Sequence, residues 1–212
     1  MARVIVLVQQ LRYGLYLIFH PFDGFWDIKH EKRGSLATGV TLLAVFTFLQ
    51  VLSYRVTGVL FNDREVVRLN LLKDIAVILL VFFLWCVANW CLTTLMDGEG
   101  SFGDIVTMTA YSLLPMILMS VPLIALSHIL SFRESSFYML FLALGQLWSG
   151  FLLIIGTMTT HQYSLSRTLF TILLTIIGMC IIVFIGLLFF NLIQQMAGFL
   201  LNVYQEISLR TG

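Results

Sequence analysis

Residues 168–191 read TLFTILLTIIGMCIIVFIGLLFFN, and this stretch decides the fold because it contains no charged residue. A helix needs roughly 20 apolar residues to cross the hydrocarbon core of a bilayer. The stretch is therefore predicted to be a transmembrane helix. Sequence without charge continues beyond it as far as residue 205, which predicts a helix that tilts or continues along the membrane surface.

Four further runs lack charged residues over lengths that could cross a membrane. With the first stretch, the five predicted spans cover residues 34–54, 75–96, 105–130, 136–160 and 168–191. The composition agrees, because 59% of the residues are hydrophobic and 11% are charged, whereas a soluble domain has about 25% charged residues. This composition excludes a soluble enzyme, a disordered chain and a basic nucleic-acid binder. The predicted fold is all-α: a polytopic membrane helix bundle over residues 34–205, followed by a short tail at 206–212.

The first 33 residues precede these spans and are predicted to form an amphipathic segment in the headgroup region. On a helical wheel the apolar residues gather on one side, and glutamines, tyrosines and Arg12 gather on the other, as in helices that lie in the membrane interface. Pro21 is predicted to end this helix. The segment offers a docking surface beside the bundle, and its candidate partner-binding residues are Arg12, Tyr16, Pro21, Phe22, Phe25 and Trp26.

Small and weakly polar residues recur at helical spacing within four of the spans. Such residues mark contacts between membrane helices, because lipid provides no hydrophobic force that would join them. The candidate packing residues are Asn89, Tyr111, Pro115, Gln146, Ser149 and Thr175. Asn89 and Gln146 are expected to bond neighbouring helices, and Pro115 is expected to kink the third span. The alternative is that these polar stripes line a pathway for a solute.

Signatures of membrane enzymes are missing from the sequence. It contains no His-Glu-x-x-His zinc motif, no Gly-x-Ser-x-Gly elbow and no acidic residue in the middle of a span. One group of residues could hold a divalent cation through carboxylate oxygens and an imidazole: Asp97, Glu99, Asp104 and His161. Their spacing matches no known metal loop, and the alternative is that Ser101 and Asp104 cap the third span. No catalytic residue and no cofactor are predicted.

Lysines and arginines beside the spans predict the orientation in the membrane. The twelve of them divide evenly between the two sides. The predicted orientation therefore depends on Lys29, Lys32 and Arg33. These residues immediately precede the first span, where the positive-inside bias is strongest. We predict a cell-membrane protein with its N-terminus in the cytoplasm and its C-terminus outside.

Several short segments resemble the Yip family of Ypt/Rab-interacting membrane proteins. The resemblance starts with His20-Pro21-Phe22 and Arg33-Gly34-Ser35. It continues with Gly-Ser-Phe-Gly-Asp at residues 100–104, which lead into Ala-Tyr-Ser-Leu-Leu-Pro at residues 110–115. It extends over about residues 18–200 and makes the chain similar to a bacterial member of the family. The resemblance implies five spans, a cytoplasmic N-terminus and a non-enzymatic role.

Eukaryotic relatives in that family act in vesicle traffic and bind small GTPases through a long N-terminal region. This chain has only 33 residues before its first predicted span and lacks their Asp-Leu-Tyr-Gly-Pro motif, so GTPase binding is not inferred. Some bacterial relatives look like accessory subunits of ATP-binding-cassette transport systems. The resemblance therefore implies other membrane proteins, transporter subunits among them, as partners besides the lipid bilayer.

Three functions are consistent with these observations. The first is an accessory or scaffold subunit that binds other membrane proteins, which fits the missing catalytic residues and the amphipathic N-terminal segment. The second is a small solute transporter or channel, which requires a wet path along the polar stripes, although the sequence contains no internal repeat. The third is a membrane-embedded hydrolase, for which Asp97, Glu99, Asp104 and His161 would have to form a reactive cluster.

Overall fold

The structure is a computed structural model that describes residues 2–57, 70–130 and 134–211, with side chains described from residue 9 to residue 202 of those ranges. In this part of the chain the regular structure consists of eight helices. They are α1 (Ala2–Phe19), α2 (Pro21–His30), α3 (Leu36–Val56), α4 (Leu71–Leu95), α5 (Phe102–Ser112), α6 (Leu114–Leu126), α7 (Ser135–His161) and α8 (Leu165–Thr211).

Five helical stretches of the described residues are long and apolar enough to cross a membrane. They are Leu36–Val56, Leu71–Leu95, Phe102–Leu126, Ser135–His161 and Leu165–Asn202. The predicted fold class, an all-α polytopic membrane bundle, is therefore confirmed. The third stretch comprises α5 and α6, and the two helices meet at Leu113, two residues before Pro115. Proline interrupts the ladder of backbone hydrogen bonds because it has no N–H to donate.

The first two helices form an antiparallel hairpin, which we call the α1–α2 hairpin (Ala2–His30). Leu17 of α1 lies so close to Gly24 of α2 that a Cβ at Gly24 would be 2.9 Å from its Cγ. Further from the turn, the Tyr13 hydroxyl donates a hydrogen bond of 2.6 Å to Asp27. Gly24 therefore allows the two helices to pack closely beside the turn at His20 and Pro21.

The α1–α2 hairpin packs into the core of the bundle. Leu17 is 0% exposed and Phe25 is 1% exposed, and both belong to the same hydrophobic core as residues of α3, α5 and α7. That the segment lies in the headgroup region stays a prediction, because packing against the bundle does not fix its depth in a membrane. An apolar stripe on a helix fits against protein as well as against lipid, so the amphipathic pattern alone does not distinguish the two placements.

Because the spans alternate in direction, several helix termini collect at one end of the bundle, which we call the hairpin end. It comprises the start of α3, the turn between α4 and α5, and the turn between α7 and α8. Lys29, near the end of α2, contacts Glu99 in the turn between α4 and α5 and the backbone carbonyl of Thr160 in the last turn of α7. The hairpin end is therefore where chain segments that are distant in sequence meet.

The last helix, α8, is 47 residues long, which corresponds to about 70 Å, so it extends well beyond the predicted span at residues 168–191. It packs mainly against α4. Thr168, Thr171 and Thr175, near its start, are fully buried. From Ile176 onward most of its described apolar side chains are exposed, so most of α8 lies outside the core of the chain.

Candidate functional site

Contacts at the hairpin end begin with the cap of α5. The Asp104 carboxylate accepts hydrogen bonds from the backbone N–H and the hydroxyl of Ser101, at 2.9 and 2.7 Å. The Asp104 N–H donates in return to the Ser101 hydroxyl at 3.3 Å. This reciprocal capping box satisfies donors that the first turn of a helix leaves unpaired. It also fixes the position of the preceding residues, 97–100.

His161, the last residue of α7, packs against those residues and is 1% exposed. The Gly100 N–H donates a hydrogen bond of 3.3 Å to its Nδ1. A Cβ at Gly98 would lie 2.6 Å from Nδ1, and a Cβ at Gly100 would lie 2.7 Å from Cε1. The two glycines are therefore required by the imidazole that occupies this space. The Nε2 atom is buried without a hydrogen-bond partner among the described residues.

Lys29 joins the α1–α2 hairpin to the residues around His161. Its ammonium group donates a hydrogen bond of 2.8 Å to the backbone carbonyl of Thr160 and lies 3.3 Å from the Glu99 carboxylate. The Lys29 side chain is 13% exposed, whereas that of Glu99 is 59% exposed. Since carbonyls at the end of a helix lack partners and carry partial negative charge, Lys29 also stabilises the end of α7.

Tyr163 and Arg167 close the end of α4 in a similar way. The Tyr163 hydroxyl donates a hydrogen bond of 2.9 Å to the Met96 carbonyl, and the Arg167 guanidinium donates to the same carbonyl. The guanidinium carbon of Arg167 lies 4.2 Å from the centre of the Tyr163 ring. Burial raises the pKa of the Tyr163 phenol despite this cation, so the phenol remains a hydrogen-bond donor.

These contacts leave no metal site among the proposed ligands. Asp104 is used in the capping box, Glu99 pairs with Lys29, and His161 packs against the two glycines. Within the part of the chain that the structure describes, no group of three or more His, Cys, Asp or Glu side chains could hold a metal ion. We call Lys29, Glu99, His161, Tyr163 and Arg167 the connector cluster, because they join α2, α4, α7 and α8.

The candidate partner-binding residues separate into exposed and buried ones. The exposed ones are Arg12, Tyr16, Phe22 and Trp26, and Pro21 is partly buried. Phe25 is buried, and a Cβ at Gly156 of α7 would lie 3.1 Å from its ring. Its assignment as a partner-binding residue is therefore wrong. It lies with Gly24 and Ile28 on the inward face of α2, which the sequence did not distinguish from the outward face.

An open cleft of about 530 Å³ lies between α1 and the end of α2, beside Arg12 and Tyr16. On its wall, Arg33 lies 2.7 Å from Glu31 and 3.6 Å from Asp27. Two carboxylates, those of Glu31 and Asp27, therefore already pair with Arg33 on this wall.

Five of the six candidate packing residues are buried: Asn89, Tyr111, Pro115, Ser149 and Thr175. The Asn89 amide of α4 donates a hydrogen bond of 3.3 Å to the Thr175 hydroxyl of α8. Gln146 is exposed, so the expectation that its amide bonds a neighbouring helix of this chain is wrong. Gly145 and Ser149 are four residues apart and share the buried face of α7, and Gln146 points away from that face because one residue turns a helix by about 100°.

Sequence reasoning missed the residue that anchors α1. The Gln10 side-chain oxygen accepts hydrogen bonds from the hydroxyls of Ser35, at 2.8 Å, and Thr38. Its backbone carbonyl accepts a hydrogen bond of 3.2 Å from the Tyr111 hydroxyl. Ser35 caps α3 by accepting from the Thr38 N–H, and a Ser-x-x-Thr start is visible in the sequence. Gln10, which lies 25 residues earlier, belongs to no comparable sequence pattern.

The arrangement defines a class: a multi-pass membrane helix bundle whose polar side chains join its own helices. A family model of the Yip1 domain matches residues 15–204. The chain therefore belongs to the Yip1 family, a family of membrane proteins that is not a known enzyme family. The match begins in α1, so α2 lies inside the family domain. Comparisons with curated proteins and with solved structures returned no match.

Proposed function

We propose that this Yip1-family protein is a non-enzymatic accessory or scaffold subunit of a membrane transport or trafficking assembly. In this proposal the chain resides in the cell membrane with its N-terminus in the cytoplasm. Its partners are other membrane proteins, and the subunits of ATP-binding-cassette transporters are the first to test. The family match supports a membrane role and leaves the partner to experiment.

The observation that carries the proposal is the exposure of α8. Only 6% of its most apolar window is buried within the chain, against 22–44% for the other four spans. Its outer part exposes large apolar side chains, and a Cβ at Gly186 or Gly198 would meet no described atom within 4 Å. Small residues allow close approach of membrane helices, so α8 offers a surface on which helices of other subunits can pack.

The alternative function, a small solute transporter or channel, requires a wet path along the polar stripes. Asn89, Thr157 and Thr175 are 0% exposed, and Thr93 and Tyr111 are at most 1% exposed. Asn89 and Thr175 are in direct hydrogen-bond contact. The burial of these side chains and the direct Asn89–Thr175 contact support the scaffold over the transporter. The third candidate, a hydrolase, would need a reactive cluster, but Glu99 and His161 belong to the connector cluster and Asp104 caps α5.

The proposal is tested by recovering the full chain from its native membranes after brief cross-linking and mild detergent extraction. We expect discrete complexes in which one or a few other membrane proteins appear at a fixed ratio to the chain. An unrelated five-span protein that carries the same tag is the control for detergent aggregates. Recovery of the chain alone and monomeric, at every detergent and cross-linker concentration that leaves known complexes intact, would contradict the proposal.

A further inference from the structure

Three contacts with α7 define how deep the α1–α2 hairpin extends along the bundle. Lys29 bonds the Thr160 carbonyl, Phe25 lies against Gly156, and the Ile18 carbonyl accepts a hydrogen bond of 3.3 Å from the Trp148 indole. From Thr160 to Trp148 is twelve residues, or about 18 Å of helix. The hydrocarbon core is roughly 30 Å thick. If the hairpin end lies at one membrane surface, this distance places the turn of the hairpin near the middle of the bilayer.

The outward face of α2 near this turn is apolar except for one carboxylate. Phe22 is 54% exposed and Trp26 is 48% exposed. Asp23, one residue after Phe22, is also exposed on this side of α2, and the exposed His20 at the turn stacks on the Tyr16 ring. On α1, Phe19 is 78% exposed. We call Phe19, Phe22, Asp23 and Trp26 the hairpin tip face.

Asp23 is unusual in this position. Ionisable side chains at membrane depth normally pair with another group, because lipid tails cannot solvate a charge. In the described ranges of the chain, no donor forms a hydrogen bond or an ion pair with the Asp23 carboxylate. Its place in the first turn of α2 provides partial compensation from the helix dipole. That interaction does not replace a hydrogen-bond donor.

We propose that the hairpin tip face binds a transmembrane helix of a partner protein, and that this helix carries a lysine or arginine at mid-membrane depth that pairs with Asp23. The partner is a protein rather than a lipid, because cationic lipid headgroups lie at the membrane surface, about 15 Å away. A side chain on a spanning helix can supply positive charge at the required depth. The exposed aromatic residues provide the apolar contact around this pair. The inference rests on the proposed scaffold function and adds the chemistry of the partner.

The test uses the full chain in phosphatidylcholine vesicles, with a photo-cross-linking amino acid in place of Phe22. Three single-span peptides of leucine serve as probes, with lysine, leucine or glutamate at the central position. We expect the lysine peptide to cross-link at least fivefold more than the other two. Asp23→Asn should remove this preference, and Asp23→Lys should transfer it to the glutamate peptide. Asp97→Asn is the matched control, because it removes a carboxylate from a turn at the hairpin end and should change nothing.

Equal cross-linking of the three peptides to the unmodified tip face would overturn the inference. A preference for the lysine peptide that persists in Asp23→Asn would also overturn it. Far-ultraviolet circular dichroism and gel filtration identify variants that do not fold. If Asp23→Asn leaves the native complexes of the chain unchanged and the peptides are not distinguished, the docking surface is excluded while the scaffold function stands.

Discussion

Replacement of Tyr111 by alanine is expected to lower the free energy of unfolding by about 3–5 kcal/mol, as for other buried aromatic residues. Tyr111 is 0% exposed in the centre of the core. Its ring lies 3.4–3.6 Å from where Cβ atoms of Gly14 and Gly34 would be, and its hydroxyl donates to the Gln10 carbonyl. The truncation thus removes the surface that holds α1. Thermal or denaturant unfolding in detergent, followed by tryptophan fluorescence, measures the loss.

The matched variant is Tyr111→Phe, which keeps the ring and removes only the hydrogen bond to Gln10. A neutral hydrogen bond contributes about 1 kcal/mol, so this variant should lose much less stability than the alanine variant. Protection of α1 from hydrogen exchange should fall in both variants, and far more in Tyr111→Ala. Equal stability of Tyr111→Ala and the wild type would show that this ring does not anchor the hairpin.

The second large effect is expected from Gly156→Leu, which should separate the α1–α2 hairpin from α7. A Cβ at Gly156 would lie 2.6 Å from Met108 Cγ of α5 and 3.1 Å from the Phe25 ring of α2, so a leucine side chain must displace both neighbours. Overpacking of a core destabilises by at least about 1–3 kcal/mol. We expect a fall in the unfolding midpoint together with faster proteolysis of residues 20–35.

Gly150→Leu is a matched control on the same helix. A Cβ at Gly150 meets no described atom within 4 Å, so the same substitution there should leave the unfolding midpoint nearly unchanged. Helix propensity alone favours leucine over glycine at both positions. Equal stability of the two variants, or a larger loss of stability in Gly150→Leu, would contradict this role of Gly156.

The spans could be predicted from the sequence because each is an uncharged run that, as a helix, is long enough to cross the bilayer core. The run that begins at Thr168 also showed that the last helix is too long for one crossing, and α8 continues to Thr211. The cap at Ser101 and Asp104 is a local pattern three residues apart, and the structure contains it. These features depend on short-range chemistry that a single sequence displays directly.

The placement of the N-terminal segment could not be predicted in the same way. An amphipathic helix that lies on a membrane and one that packs against a bundle have the same apolar stripe. Phe25 and Phe22 are three residues apart and chemically identical, yet one is buried and the other is 54% exposed. The contacts that decide between them, such as Lys29 with Thr160, join residues more than a hundred positions apart.

We expect the α1–α2 hairpin to enter the membrane as part of the bundle and to present its tip face to partners. Depth-dependent quenching by spin-labelled lipids tests this placement most directly, in a chain whose Cys86, Cys91 and Cys180 are replaced by alanine and which carries a fluorophore on one new cysteine, at position 22, 31 or 147 in turn. Glu31 lies at the hairpin end, and Leu147 is an exposed residue beside the Trp148 contact. The account predicts that the probe at position 22 is quenched most by labels deep in the acyl chains, as at position 147. Quenching at position 22 mainly by headgroup labels, as at position 31, would contradict it.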